Sequence, residues 1–166
     1  MPGEKTRKPS PLLLGHVVAA PGPGGGVDVG HDQLHSQLRD HPAVTAIEGI
    51  NCRALTAADL GDAIPAGGFD LIVGDVSFIS LTLILPQLPP LLAAHGDLLM
   101  LVKPQFEVGP GNLSKGGIVR DPARYGEVEQ KLRNSAQNLG LTVKAWLDSP
   151  ITGGDGNREF FIWLNK

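Results

Sequence analysis

LLMLVKPQFE, residues 98–107, runs from unbroken apolar sequence into a lysine, a proline, an amide, an aromatic and an acid. A short apolar run closed by proline reads as a buried strand of the kind that fills a parallel sheet. Lys103 then stands at the carboxyl end of that strand, the edge at which open α/β sheets gather their function. Outward from it the pattern repeats. Upstream lie VDV, a helical stretch around HDQLHSQLRD, VTAI, FDLIV and a Leu-rich segment; downstream lie a helix and two further strands. This alternation predicts an α/β fold built on a mostly parallel sheet.

The downstream helix is bounded at both ends. Asp121 can cap it, Pro122 suits its first position, Gly140 ends it, and Tyr125, Val128, Leu132, Ala136 and Leu139 recur on one face. Pro86, Pro89 and Pro90 interrupt or kink any helix in the Leu-rich segment. The loop between TVKAWL and EFFIWL is too short for a helical crossover, which predicts an antiparallel last strand.

Composition narrows the function classes. The chain has 166 residues, 42% hydrophobic and 19% charged, enough for one domain with a sizeable core. Its net charge of −3 advertises no polyanion, so any nucleic-acid contact needs a local basic patch or a second domain. Cys52, the sole cysteine, excludes an internal disulfide and a cysteine-built zinc site, and suits the cytoplasmic location expected here. LLLGHVVAA follows basic residues as a secretory signal would, but it is short, His16 interrupts it and Pro21 sits where cleavage would follow. No run reaches the ~18 apolar residues of a membrane span. Neither membrane nor metal is expected; His31 and His35 share a helical face, and a surface pair is the simpler reading.

Residues 1–26 carry five of the 14 prolines and the tract PGPGGG, which cannot hold a helix. They read as an unrelated or disordered segment, disordered over residues 1–10, ahead of a partial domain at residues 27–166.

Three charged residues fall at strand ends: Asp75 after FDLIVG, Lys103 after LLMLV, and Glu159 at the start of EFFIWL. Because the last strand runs backwards, its beginning lies at the edge where the others end, and the three can meet in one cleft. Taken singly, Asp75 reads equally as a turn carboxylate and Lys103 as a solvated lysine; their convergence favours a site. Glycine signals leave the cofactor register open. PGPGGG leaves too few residues for a βαβ crossover, whereas VDVG with Glu48, 20 residues beyond Asp28, has ribose-acid spacing but a single Gly30. Lys115, Arg120 and Arg124 flank the loop GNLSKGGIVRDP, which is either solvated or a contact to a phosphate backbone.

FDLIVGDVSFISL, LVKPQFEVG, KGGIVRDP and SPITGGDGNREFFIWL resemble, in order and spacing, the TlyA hemolysin family of FtsJ-like RNA ribose 2′-O-methyltransferases. The resemblance covers roughly residues 27–166. It implies a Rossmann-like S-adenosylmethionine methyltransferase fold with an incomplete N-terminal part, and ribosomal RNA or a ribosomal subunit as partner. VDVGHDQLHSQLRDHPAV then resembles the family's second strand and following helix, and INCRAL the stretch after its third. LLLGHVV, residues 12–18, is left as the spare run for the central strand.

The resemblance implies catalytic roles for Asp75, Lys103 and Glu159, three members of a Lys-Asp-Lys-Glu tetrad, with Lys103 taking the proton of a ribose 2′-hydroxyl. It implies cofactor contacts at Asp28, Val29, Asn51, Cys52 and Asp75: Asp28 as the ribose acid, Asn51 and Cys52 near the adenine, Asp75 beside the methyl. Lys115, Arg120 and Arg158 are the expected RNA contacts. A free lysine is neutral only about once in 2,500 at pH 7, a cost of roughly 4.6 kcal/mol, and a second cation lowers that cost while carboxylates raise it. The tetrad's first lysine and the family's Gly-rich turn have no match in this sequence. S-adenosylmethionine binding is therefore expected to be weakened or lost, and the alternative is a non-catalytic remnant with a residual RNA- or protein-binding role.

Overall fold

The computed structural model describes residues 11–15, 24–28 and 44–48 as strands, and residues 50–166 in full. Among the described residues one sheet holds β1 (Pro11–Gly15), β2 (Gly24–Asp28), β3 (Val44–Glu48), β4 (Phe69–Asp75), β5 (Leu92–Val102), β6 (Thr142–Asp148) and β7 (Phe160–Asn165). Their order is β3-β2-β1-β4-β5-β7-β6. β3 through β5 pair in parallel, and β7 lies antiparallel between β5 and β6. This is a Rossmann-like α/β sheet with the expected reversal at its end.

β1 takes the central place between β2 and β4, as LLLGHVV was expected to do. Residues 16–18, residues 1–10 and the helix read around HDQLHSQLRD lie outside the described residues. The boundary expected at residue 27 falls inside β2, which takes in Gly24–Gly26 of the PGPGGG tract. Only eight residues separate Gly15 from Gly24, fewer than a helical crossover between parallel strands requires.

β5 shows how the core is made. Leu98, Met100 and Val102 are fully buried, whereas Leu99 and Leu101, on the other face, are only partly covered. The covered face packs against Leu81, Ile84, Leu85, Leu88 and Leu91 and against Val128, Leu132 and Ala136. The first set comes from the Leu-rich segment, which forms three 3-10 turns, Leu81–Leu83, Leu85–Gln87 and Pro89–Leu91; Pro86, Pro89 and Pro90 permit turns and deny a continuous helix. The second set belongs to α2 (Ala123–Asn138), the longer of two described helices, α1 being the single turn Ala57–Leu60. Asp121 accepts the Ala123 N–H at its start, and Gly140, at φ 76°, closes it. Burial of each such valine, leucine or isoleucine side chain stabilises the fold by about 1.5–3 kcal/mol.

Candidate active site

Asp75 is the last residue of β4, Lys103 follows β5, and Glu159 precedes the antiparallel β7. The sheet brings them together. Lys103 Nζ stands 2.6 Å from Asp75 Oδ1 and donates to Ser77 Oγ at 2.9 Å. Lys103 is largely covered, its side chain 15% exposed, while Asp75 is 42% exposed and faces the cleft. Pro104 ends the pairing of β5, and its 3-10 turn, Pro104–Phe106, aims the chain away from the sheet.

Glu159 is buried, and burial pushes its carboxyl above the usual range; Lys103 opposes that shift, and the charges of Asp75 and Asp155 add to it. One ammonium thus faces several carboxylates. Gly153 lies against both acids: a Cβ there would stand 2.6 Å from Glu159 Oε1 and 3.0 Å from Asp155 Oδ1, and the carboxyl groups would have to shift to admit it. The Asn157 N–H holds the Asp155 carboxyl below its ordinary range.

The expected cofactor residues are spread along the same edge. Asp28 ends β2, in register with Glu48 at the end of β3. Val29 lies outside the described residues. Asn51 is exposed, and its Oδ1 accepts the Arg53 N–H to cap the turn Cys52–Ala54, whereas Cys52 is buried in the core. Gly15 is in register with Asp75, so a residue without a side chain flanks the acid at the point where the connections diverge from β1 and β4. Of the expected RNA contacts, Lys115 and Arg120 are exposed on the loop. Arg158 is also exposed, its side chain by 54%, but its guanidinium pairs with Asp148 and lies over the rings of Tyr125 and Phe160, 5.7 and 5.1 Å from their centroids. Among the described residues there is no cluster of His, Cys, Asp and Glu fit for a metal, and no helix long and apolar enough to cross a membrane.

Residues 13–166 match the model of the FtsJ-like methyltransferases. The chain belongs to the FtsJ-like methyltransferase family. A Mycobacterium tuberculosis relative, the 16S/23S rRNA (cytidine-2′-O)-methyltransferase TlyA, is 42% identical over 149 residues, covering 90% of this chain and 51% of the relative. The chain therefore spans about half the length of that relative. The solved structure of a Lactococcus lactis protein described as a candidate hemolysin superposes with a TM-score of 0.86 at 34% identity, over 98% of this chain and 80% of that one. A methyltransferase of Methanosarcina mazei, described as SAM-dependent, shares the fold at a TM-score of 0.62 and 13% identity, over 95% and 92% of the two chains.

Within this FtsJ-like domain several residues escaped the sequence reading. Ser77 and Phe78 follow Asp75 in a loop with no periodic signal. Phe78 is 88% exposed, held at φ 64° and set against Phe106 at 5.0 Å. Glu107, at the far end of the KPQFE turn, points inward: its side chain is 1% exposed and receives Ser80 Oγ at 2.6 Å, the Leu81 N–H at 2.8 Å and Lys131 Nζ at 2.7 Å. Gln105 Oε1, in the same turn, is buried without a hydrogen-bond partner, as is Asp75 Oδ1. Asn157 is buried in the GGDGNRE loop. Only the clustering of small and polar residues in that loop hinted at it.

Proposed function

We propose that this domain catalyses transfer of a methyl group from S-adenosylmethionine to a ribose 2′-hydroxyl of ribosomal RNA in the cytoplasm. The observation that carries the reading is the Lys103–Asp75 contact at the carboxyl edge of the sheet, with Glu159 buried beside it. An ammonium has three hydrogens. Ser77 Oγ takes one of them at 2.9 Å and the charge of Asp75 holds the amine at the sheet edge, which leaves Lys103 Nζ with capacity for an incoming hydroxyl. The neutral amine presents its lone pair there and accepts the hydroxyl proton, and Asp75 and Ser77 fix its direction. Glu159 orients the ammonium that forms. Phe78 offers an exposed aromatic face next to Ser77, a surface on which an unpaired base can stack.

The cofactor suits the residues present. Asp75, Glu159 and Asp155 together outnumber the one lysine that faces them, a balance that favours a cationic sulfonium. Asp75 would lie beside its methyl-bearing end, and Asp28, Val29, Asn51 and Cys52 would hold its nucleoside. When bound, the cofactor supplies an activated methyl group. Affinity in this chain is weak, because no glycine turn in the sequence matches the one that receives the methionine part. Losing two charge-assisted hydrogen bonds, at roughly 1.5–3 kcal/mol each, weakens binding by about two to four orders of magnitude.

The test fuses the N-terminal half of the 42% identical relative to residues 11–166 and follows a labelled methyl group into ribosomal RNA. Wild-type fusion transfers; Lys103→Ala loses transfer by about 100-fold or more while cofactor affinity stays within a few fold. Retained turnover removes Lys103 from the mechanism. A wild-type fusion that binds cofactor and RNA without transfer marks the chain as a non-catalytic remnant.

A further inference from the structure

Asn157 lies two residues before Glu159, is 1% exposed, and uses its whole amide. Its Oδ1 accepts the Val119 N–H at 3.1 Å, and its Nδ2 donates to the Gly117 carbonyl at 2.9 Å and to Asp155 Oδ2 at 2.8 Å. Its own N–H donates to Asp155 Oδ1 at 2.9 Å, and its carbonyl accepts the Gly153 N–H at 2.8 Å. Gly117 and Val119 belong to a small hairpin closed by the Leu113–Val119 bridge, by Ser114 N–H to Ile118 at 2.8 Å and by Arg120 N–H to Asn112 at 3.1 Å. Lys115 and Arg120 are exposed on that hairpin. On the other side of Asn157, Gly153 and Asp155 wall in the Glu159 carboxyl.

Only an amide meets these demands together. A carboxylate cannot donate to Gly117, and an apolar side chain of the same size leaves the Val119 N–H and the Gly117 carbonyl without partners. No regular secondary structure links the hairpin to the loop between β6 and β7, so these bonds are what fixes one against the other. We propose that Asn157 is a positioning residue that makes the hairpin of residues 113–120 and the wall of the Glu159 pocket one rigid unit, so that a polyanion gripping Lys115 and Arg120 sets the Glu159 carboxyl. The inference rests on the RNA-methylating reading above for the identity of the polyanion, and on nothing else in it.

The experiment is NMR on the labelled chain, following the hairpin amides and the Glu159 side-chain carboxyl while a short single-stranded RNA is added. In the wild type both respond. In Asn157→Ala the hairpin amides still respond and Glu159 does not, its titration falls toward that of an ordinary glutamate, and the Val119 amide exchanges about tenfold faster or more. Amides of β5 and α2 keep their protection. If Asn157→Ala does not fold, Asn157→Ser, which keeps a hydroxyl toward Val119, gives the same changes at smaller amplitude. A Glu159 carboxyl that responds to RNA equally with and without the amide overturns the coupling. Wild-type hairpin amides unmoved by RNA overturn the assignment of the hairpin as the contact, independently of whether the fusion transfers methyl groups.

Discussion

The KPQFE turn contributes to two lysine–carboxylate pairs that differ in every respect except charge. At its first residue, Lys103 meets Asp75 across the ends of β4 and β5, in a pair open to the cleft on the acid's side. At its last, Glu107 meets Lys131 of α2, with the acid sealed and two further donors, Ser80 Oγ and the Leu81 N–H, already on it. Lys131 also donates to the Glu107 carbonyl at 2.7 Å. A sealed carboxylate that already meets three donors is closed to a substrate, so its work is mechanical: it ties the loop after β4 to the turn after β5 and to α2. The Lys103 pair is less complete: Lys103 Nζ donates to Ser77 Oγ, while Asp75 Oδ1 meets it as an ion pair without a hydrogen bond. In this molecule, incomplete satisfaction distinguishes the pair at the sheet edge from the structural one.

The largest effect is expected from Glu107→Ala. Removing one member of a buried pair strands its donors, at a cost of about 3–5 kcal/mol, read as a lower midpoint in urea unfolding. A loss under about 1 kcal/mol would erase the distinction drawn here. Lys103→Met leaves the buried Asp75 Oδ1 without its cation, at a cost of about 1–3 kcal/mol, smaller than that of Glu107→Ala, and should remove methyl transfer from the fusion. Two acids sharpen the contrast through pH. Glu159 holds its proton more tightly when folded, so its contribution is complete below the ordinary glutamate range and is lost as pH rises through its raised value. Asp155 runs the other way: its contribution is present above the ordinary aspartate range and is lost as pH falls through its lowered value. Urea midpoints across that acid range should flatten at the upper end in Glu159→Gln and at the lower end in Asp155→Asn. The smallest effect belongs to Arg158→Ala, about 0.5–1 kcal/mol from an exposed ion pair and its ring contacts.

The strands and α2 were legible because their signals are local. Proline and glycine punctuate α2, an apolar run marks β5, and the short loop before β7 forces its reversal. The convergence of Asp75, Lys103 and Glu159 followed from strand direction alone. Glu107 was not legible, because an acid after Lys-Pro-Gln-Phe looks the same facing water or facing α2, and only the tertiary position of Lys131 decides. The partners of Arg158 were not legible for a similar reason: Asp148 and Tyr125 reach it from separate elements. The glycines at 24–26 looked like linker since a glycine run excludes a helix, yet their backbone groups still pair between two strands, and that depends on neighbours far away in the chain.

The placing of β7 between β5 and β6 bears on how the molecule is assembled during synthesis. β4 and β5 can pair, and bring Asp75 to Lys103, long before β7 has been made. Until β7 arrives, the backbone of β5 from Asp97 to Val102 is an unpaired apolar edge, open to the wrong partner. Insertion of β7 closes that edge and delivers Glu159 in the same movement. The domain therefore acquires the last carboxylate of its candidate site only when the apolar edge of β5 is shielded, and a nascent chain stopped short of β7 would carry the Asp75–Lys103 pair on a sheet primed to misassociate.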